Sequence, residues 1–170
     1  MLDSKVAKLL NQQITKEFYS AYLSLDFSNY YYDIGLDGFG NWYKVQAQEE
    51  RDHAMLFVQY LQMNGENVTL EAIAKPDVPL TGAKAVLEEG LKHEQYVTSL
   101  IHNIYDAAYA VKDFRTMQFL DWFVKEQGEE ENNAESLIKK YSLFGDDAKG
   151  LYMLDNELAA RVYAAPSLVL

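Results

Sequence analysis

Apolar residues recur every three or four positions along the first part of the chain. From Ser4 to about Tyr32 this spacing places them on one face of a helix, and neither Pro nor Gly interrupts the stretch. A second stretch with the same period runs from about Phe39 to Met63, after a break at Gly35 to Gly40. The pattern therefore predicts two long amphipathic helices joined by a short turn.

The second half of the chain repeats this organisation. A third helix is predicted from near Thr81 to about Lys112, and a fourth from Phe114 to Leu143, with a stop signal at Phe144-Gly145. A short fifth helix is predicted from Asp146 to about Ala160. The segment from Glu66 to Thr81 contains two prolines, so it cannot continue a helix and forms a long connection.

The long connection determines the predicted topology. A helix of about 25 residues is about 38 Å long, and roughly 16 connecting residues can span about 53 Å. The second and third helices can therefore be parallel, while short turns make the other sequential pairs antiparallel. The sequence predicts an all-α fold and a single domain over residues 1–170, with a four-helix bundle at about 4–145 and a C-terminal helix at about 146–160.

The composition of the chain disfavours several classes of protein and limits the kinds of metal site it can form. The chain has 170 residues, 49% of them hydrophobic, but no apolar run reaches the length of about 18 residues that a membrane span needs. The start of the chain also lacks a signal-peptide pattern, so we expect a soluble, cytoplasmic protein. A net charge of −11 disfavours nucleic-acid binding and attracts cations. With no cysteine, any metal must be held by oxygen and imidazole, which suit iron, manganese or zinc.

One pattern of polar residues occurs twice in the chain. It consists of Glu17, Glu50 and His53, followed 77 positions later by Glu94, Gln127 and Glu130. Glu50 and His53 are three residues apart, so both side chains lie on one helix face and can bind the same ion. All four long helices contribute an acid or an amide among apolar neighbours, and a bound cation would compensate for buried carboxylates. The pattern predicts a carboxylate-bridged di-metal site inside the bundle.

With these motifs in place, the chain resembles bacterial non-haem ferritins over essentially its full length. The matching stretches are Glu17 to Ser20, Gln48 to His53, Lys92 to Gln95, Trp122 to Glu131 and Gly150 to Tyr152. The resemblance implies a ferritin-like four-helix bundle with a long crossover between helices 2 and 3. It also implies a ferroxidase and iron storage protein, a subunit of a hollow 24-mer that oxidises ferrous iron with dioxygen or hydrogen peroxide and stores a ferric mineral.

The resemblance also implies the roles of individual residues. One iron would be held by Glu17, Glu50 and His53. The second would be held by Glu50, Glu94 and Glu130, with Gln127 beside them. A third iron site is implied at an acidic cluster formed by Glu49, Glu126, Glu129 and Glu130, although Glu126 and Glu129 can also be interpreted as ordinary solvated charges.

The chain departs from related patterns at several positions. Many ferritins have a tyrosine seven residues after the first ligand, where this chain has Ser24 and places a tyrosine at Tyr22 instead. Haem is not expected, because Arg51 and Glu130 stand where the haem-binding bacterioferritins have a methionine ligand and a second histidine.

The fifth helix has an apolar face that a four-helix bundle does not obviously need. Its residues are Leu151, Tyr152, Leu154 and Leu158. We expect this face to be buried between subunits, and the resemblance places the helix at a fourfold axis.

Two other classes of function are open at this stage. A di-iron peroxidase or oxygenase would act on a separate substrate without storing iron, although the Gln127-x-x-Glu130 variant disfavours it. A helical scaffold without metal is compatible with the composition. Measuring retained iron separates storage from the first alternative, and elemental analysis of the purified protein tests the second.

Overall fold

The computed structural model describes residues 2–170, which contain five α-helices and no β-strand. The helices are α1 (Ser4–Asp33), α2 (Asp37–Met63), α3 (Ala83–Ala110), α4 (Phe114–Phe144) and α5 (Ala148–Ala159). The all-α prediction is confirmed, with small differences at the helix ends. None of these helices, within the described residues, is apolar enough over a sufficient length to cross a membrane.

Aspartate side chains define the start of three helices. Asp3 accepts hydrogen bonds from backbone N–H groups in the first turn of α1, and Asp113 and Asp147 do the same for α4 and α5. The first N–H groups of a helix have no partner within the helix, so a carboxylate at this position stabilises the end by about 1 kcal/mol. Asp113 therefore ends the short turn between α3 and α4.

The turn between α1 and α2 is shorter than the sequence predicted. The stretch Gly35 to Gly40 was expected to separate the helices, but α2 begins at Asp37 and includes Gly38. Gly38 is required for packing, because a Cβ at this position would lie 1.7 Å from the carbonyl oxygen of Asp155 in α5. The turn itself depends on Gly35, whose φ of +81° is rarely adopted by other residues.

The connection between α2 and α3 follows α1 along the length of the bundle. Near the start of α1, the Asn11 side chain donates a 3.0 Å hydrogen bond to the carbonyl oxygen of Asn67. Near the end of α1, the hydroxyl of Tyr31 donates a 2.6 Å hydrogen bond to the carbonyl oxygen of Ala83. Because α2 also begins beside the end of α1, α2 and α3 run in the same direction. The predicted crossover is therefore confirmed.

The buried apolar residues form two clusters at different levels of the bundle. The first apolar cluster includes Val6, Leu10, Ile14, Phe57, Ile101, Phe119 and Phe123. The second apolar cluster includes Leu23, Phe27, Tyr31, Phe39, Leu87, Leu137 and Leu154. On α1, Glu17 lies between Ile14 of the first cluster and Leu23 of the second. On each of the other three long helices, the predicted ligand also lies between residues of the two clusters. The predicted ligands therefore occupy a polar layer between two apolar ones.

α5 contributes to the core of its own subunit. Leu154 and Leu158 are each 3% exposed and pack in the second apolar cluster, and Leu151 packs against that cluster. The prediction that these leucines would be buried between subunits is therefore wrong. An amphipathic pattern shows that a helix buries one face, but not which surface covers that face. Tyr152 points away from the cluster and is 69% exposed.

Candidate metal centre

Three of the predicted ligands meet between α1 and α2. Glu17 comes from α1, Glu50 and His53 come from one face of α2, and none of the three is more than 2% exposed. Each can place a ligand atom within 4.8 Å of the other two. Two carboxylates and an imidazole at this spacing form a suitable donor set for a divalent transition metal.

The other half of the repeated pattern comes from α3 and α4. Glu94, Gln127 and Glu130 are buried, with at most 8% of each exposed. The Gln127 Nε2 donates to the backbone oxygen of Glu94 at 3.2 Å and to Glu94 Oε2 at 3.3 Å. Glu94 and Glu130 also line one small cavity of about 20 Å³, with room for about one water molecule. The amide of Gln127 therefore positions the Glu94 carboxylate.

The four buried carboxylates interact electrostatically. Burial, followed by the charge of Glu50, raises the pKa of Glu17 to about 8 and that of Glu130 to about 7. The same two causes raise the pKa of Glu94 well above its usual value. The charge of Glu50 therefore acts on carboxylates from both halves of the repeated pattern. Such a group keeps its protons unless positive charge compensates for the carboxylates.

Glu50 and His53 form a buried pair. The His53 Nδ1 lies 3.2 Å from Glu50 Oε2. Burial opposes the charged form of His53, but the hydrogen bond and the charge of Glu50 outweigh it and raise the pKa of His53 to about 10. Burial acts to raise the pKa of Glu50, yet the bond to His53 brings it below the usual value. In the metal-free protein, the imidazolium supplies the positive charge beside Glu50.

One oxygen of the centre lacks a hydrogen-bond partner. Glu17 Oε1 accepts a 2.8 Å bond from Gln13 Nε2, whereas Glu17 Oε2 is buried and has no partner among residues 2–170. A buried acceptor without a partner is destabilising by about 1–3 kcal/mol. A metal ion bound between Glu17, Glu50 and His53 would satisfy this oxygen, so the residues fit a metal site.

Two glutamines that hold the carboxylates were not predicted from the sequence. Gln13 donates to Glu17, and Gln46 Nε2 donates to Glu50 Oε1 at 2.9 Å. Each glutamine precedes its glutamate by four residues, so the two glutamines have the same separation of 33 positions as the two glutamates. Extending the 33-position step by one helical turn would have found them, although the second half of the chain has Gly90 and Phe123 at the matching positions.

The structure brings the proposed third-site acids together only in part. Glu49 and Glu126 line a cavity of about 200 Å³ beside His53. Glu129 instead lies on the surface and pairs with Lys125 at 3.5 Å. Within residues 2–170, the acids and histidines that approach one another closely enough to share an ion are those at positions 17, 50 and 53.

Trp122 packs against the predicted ligands. Its ring centroid lies 5.5 Å from that of His53, and its indole N–H donates a 2.9 Å hydrogen bond to Ser167. His93 lies outside the ligand set, because its Nε2 is bonded to the Ser20 hydroxyl at 2.7 Å. The position of the missing tyrosine, Ser24, is buried.

The sequence is similar to curated bacterial proteins. The model of the ferritin-like domain matches residues 7–144. A bacterial non-heme ferritin of Campylobacter jejuni is 37% identical over 155 residues, which cover 91% of this chain and 93% of the relative. A bacterial non-heme ferritin of Staphylococcus saprophyticus is 37% identical over 163 residues, which cover 96% of this chain and 98% of the relative.

The fold is similar to that of solved ferritin structures. An engineered closed form of the Archaeoglobus fulgidus ferritin gives a TM-score of 0.94 at 41% identity, over 96% of this chain and all of that one (100%). The open-pore ferritin from the same archaeon gives a TM-score of 0.92 at 41% identity, over 95% of this chain and 99% of that one. With the family match over most of its length and curated relatives at 37% identity, the chain belongs to the ferritin family.

Proposed function

We propose that this protein is an iron storage protein with ferroxidase activity. It takes up ferrous iron, oxidises it at a di-iron centre within each subunit, and holds the ferric product as a mineral inside a hollow 24-mer. The observation that carries the proposal is the buried group of Glu17, Glu50 and His53, in which one carboxylate oxygen lacks a partner among the described residues. Family membership supports iron as the metal.

Each iron ion has its own set of ligands in this proposal. The first ferrous ion binds Glu17, Glu50 and His53. The second binds Glu50, Glu94 and Glu130. Glu50 bridges the two ions, which is consistent with the effect of its charge on carboxylates in both halves of the centre. Gln127 holds the Glu94 carboxylate through its amide nitrogen.

The chemistry is the oxidation of two ferrous ions at once. Each ferrous ion loses one electron, and dioxygen accepts both electrons together with two protons to give hydrogen peroxide. When hydrogen peroxide is the oxidant, it accepts two electrons and two protons, its O–O bond breaks, and two water molecules form. Carboxylate oxygens are hard donors that stabilise the ferric product. Binding of iron also displaces protons from Glu17, Glu130 and His53, because their raised pKa values favour the protonated forms in the metal-free protein.

Acidic residues beside the centre are candidates for further iron binding. Glu49, Glu126, Glu129 and Glu130 form a third iron site in this proposal, and it requires side-chain movement because Glu129 is exposed. The net charge of −11 favours the accumulation of cations.

Iron retention tests the storage function. The purified protein is supplied in air with ferrous iron far in excess of two ions per subunit, and is then separated by gel filtration. We expect iron to elute with the protein at the mass of a large shell, at many ions per subunit. Retention of two ions per subunit or fewer would instead favour a di-iron enzyme without storage. A monomeric or dimeric mass would contradict the shell.

A further inference from the structure

After α5, the chain turns back and runs along α2. The Asn41 side chain fixes this turn by donating to three of its carbonyl oxygens, the last of which belongs to Arg161. Further on, the hydroxyl of Tyr163 bonds to the carboxylate of Asp52. The C-terminal segment, defined here as residues 161–167, is therefore held against α2 at several points. Its last residues line the cavity of about 200 Å³ beside His53.

The side chain of Arg161 is held by four contacts. Its Nη2 donates to Glu49 Oε2 at 2.5 Å and to Gln46 Oε1 at 2.9 Å. Its Nη1 donates to the carbonyl oxygen of Trp42 at 3.2 Å, and the guanidinium lies 4.2 Å from the centre of the Trp42 ring. Only 15% of the Arg161 side chain and 17% of the Glu49 side chain are exposed. This pair is shielded from water and has a fixed geometry.

The ion pair between Arg161 and Glu49 affects what else the Glu49 carboxylate can bind. A guanidinium stays charged at all physiological pH values, so the Glu49 carboxylate already has a resident cation. A metal ion that binds Glu49 through Oε2 must displace the Arg161 guanidinium from that oxygen. Hydrogen bonds that involve charged groups are worth more than those between neutral groups, so this displacement weakens metal binding substantially.

We propose that Arg161 sets the number of iron ions that each subunit binds tightly, by competing with iron for Glu49. The inference rests on the proposed function, because the site that Arg161 blocks is the third iron site. Arg161 contacts none of the ligands of the di-iron centre directly, so it is a specificity-determining residue and not a catalytic one.

Metal counting on the full-length protein tests this competition. Ferrous iron is titrated under argon into iron-free protein by calorimetry, so that binding is measured without oxidation. We expect two tightly bound ions per subunit in the wild type. In Arg161→Gln, a third ion should bind at least about tenfold more tightly than in the wild type, because the carboxylate is released. Arg161→Lys keeps a positive charge and should retain most of the competition.

A matched control comes from an arginine away from the centre. Arg115 donates a 2.9 Å hydrogen bond to the Asn64 side chain, and Arg115→Gln should bind iron as the wild type does. In the double variant Glu49→Gln/Arg161→Gln, the gain of the third ion should disappear. Arg161→Met keeps an aliphatic stem over Trp42 and replaces Arg161→Gln in the comparison if that variant does not assemble.

The outcomes separate this inference from the proposed function. Equal affinity for the third ion in the wild type and in Arg161→Gln would overturn the role of Arg161 while leaving the di-iron centre intact. A gain that persists in the double variant would also overturn it, because Glu49 would not be the site. A wild-type protein that does not bind two ions tightly would contradict the proposed function itself.

Discussion

The amide of Gln13 donates a 2.8 Å hydrogen bond to Glu17 Oε1, while Glu17 Oε2 is buried without a partner in the described part of the chain. In the metal-free protein, only one of the two Glu17 oxygens therefore accepts a hydrogen bond. Burial and the charge of Glu50 raise the pKa of Glu17 to about 8, so the carboxyl keeps its proton at neutral pH until a metal ion binds.

Replacing Gln13 should destabilise the metal-free protein. In Gln13→Leu, Glu17 Oε1 would lose its hydrogen bond from the amide, at a cost of about 1–3 kcal/mol. We expect a lower thermal unfolding midpoint, and a smaller difference from the wild type after Zn²⁺ binds. The neighbouring Gln12 is exposed, so Gln12→Leu should leave the midpoint nearly unchanged. Equal midpoints for the two variants would show that the Gln13 bond does not support the site.

Replacing two glycines in long helices by alanine should change the stability of the protein in opposite directions. A Cβ at Gly38 would overlap the carbonyl oxygen of Asp155 at 1.7 Å, whereas a Cβ at Gly128 meets no atom of the described chain within 4 Å. Gly38→Ala should therefore destabilise the protein by about 1–3 kcal/mol through overpacking against α5. Gly128→Ala should stabilise α4 by up to about 1 kcal/mol. Thermal unfolding of both variants measures the contrast, and a harmless Gly38→Ala would contradict the packing of α5.

The metal-free protein should become less stable as the pH rises from about 6 to about 8. Glu17 and Glu130 have folded-state pKa values of about 8 and about 7, above the usual 4.5, and His53 has a value of about 10, above the usual 6.5. In this range the folded protein binds more protons than the unfolded chain, so the free energy of unfolding falls. The lowered pKa of Glu50 acts only at more acidic pH. Thermal unfolding at both pH values measures the slope, which Glu17→Gln should reduce.

Metal binding should release protons from the same groups. Zn²⁺ is not oxidised, so its binding isolates this step from the redox reaction. In weakly buffered solution at about pH 7, we expect a fall in pH as Zn²⁺ is added to iron-free protein, because the ligands must lose their protons. Glu17→Gln should release less acid per bound ion. Binding without any proton release would mean that the carboxylates of the centre are already ionised and that His53 is already neutral.

The helices and the buried polar layer could be predicted from the sequence because both follow a regular period. The spacing of apolar residues identified all five helices, and the repeated separation of 33 positions identified the polar layer. The break at Gly35 to Gly40 was interpreted too broadly, since a glycine inside a helix also permits close packing. That role depends on α5, which is distant in sequence.

The surroundings of the centre could not be predicted in the same way. Arg161 lies in a segment without regular secondary structure, 112 positions from Glu49. A contact between an irregular segment and a helix leaves no periodic signal in the sequence. The same limit applies to Leu154 and Leu158, whose helical face could be identified but whose covering surface could not.

The kinetics of ferrous oxidation in Glu50→Ala test the central claim most directly, because Glu50 is the carboxylate proposed to bind both iron ions. Two ferrous ions per subunit are mixed with oxygenated buffer in a stopped-flow instrument. The surface variant Glu135→Ala, which loses only an exposed pair with Lys139, serves as control. The account predicts rapid oxidation in the wild type and the control, and oxidation slower by about a hundredfold or more in Glu50→Ala. Wild-type rates in Glu50→Ala would contradict it.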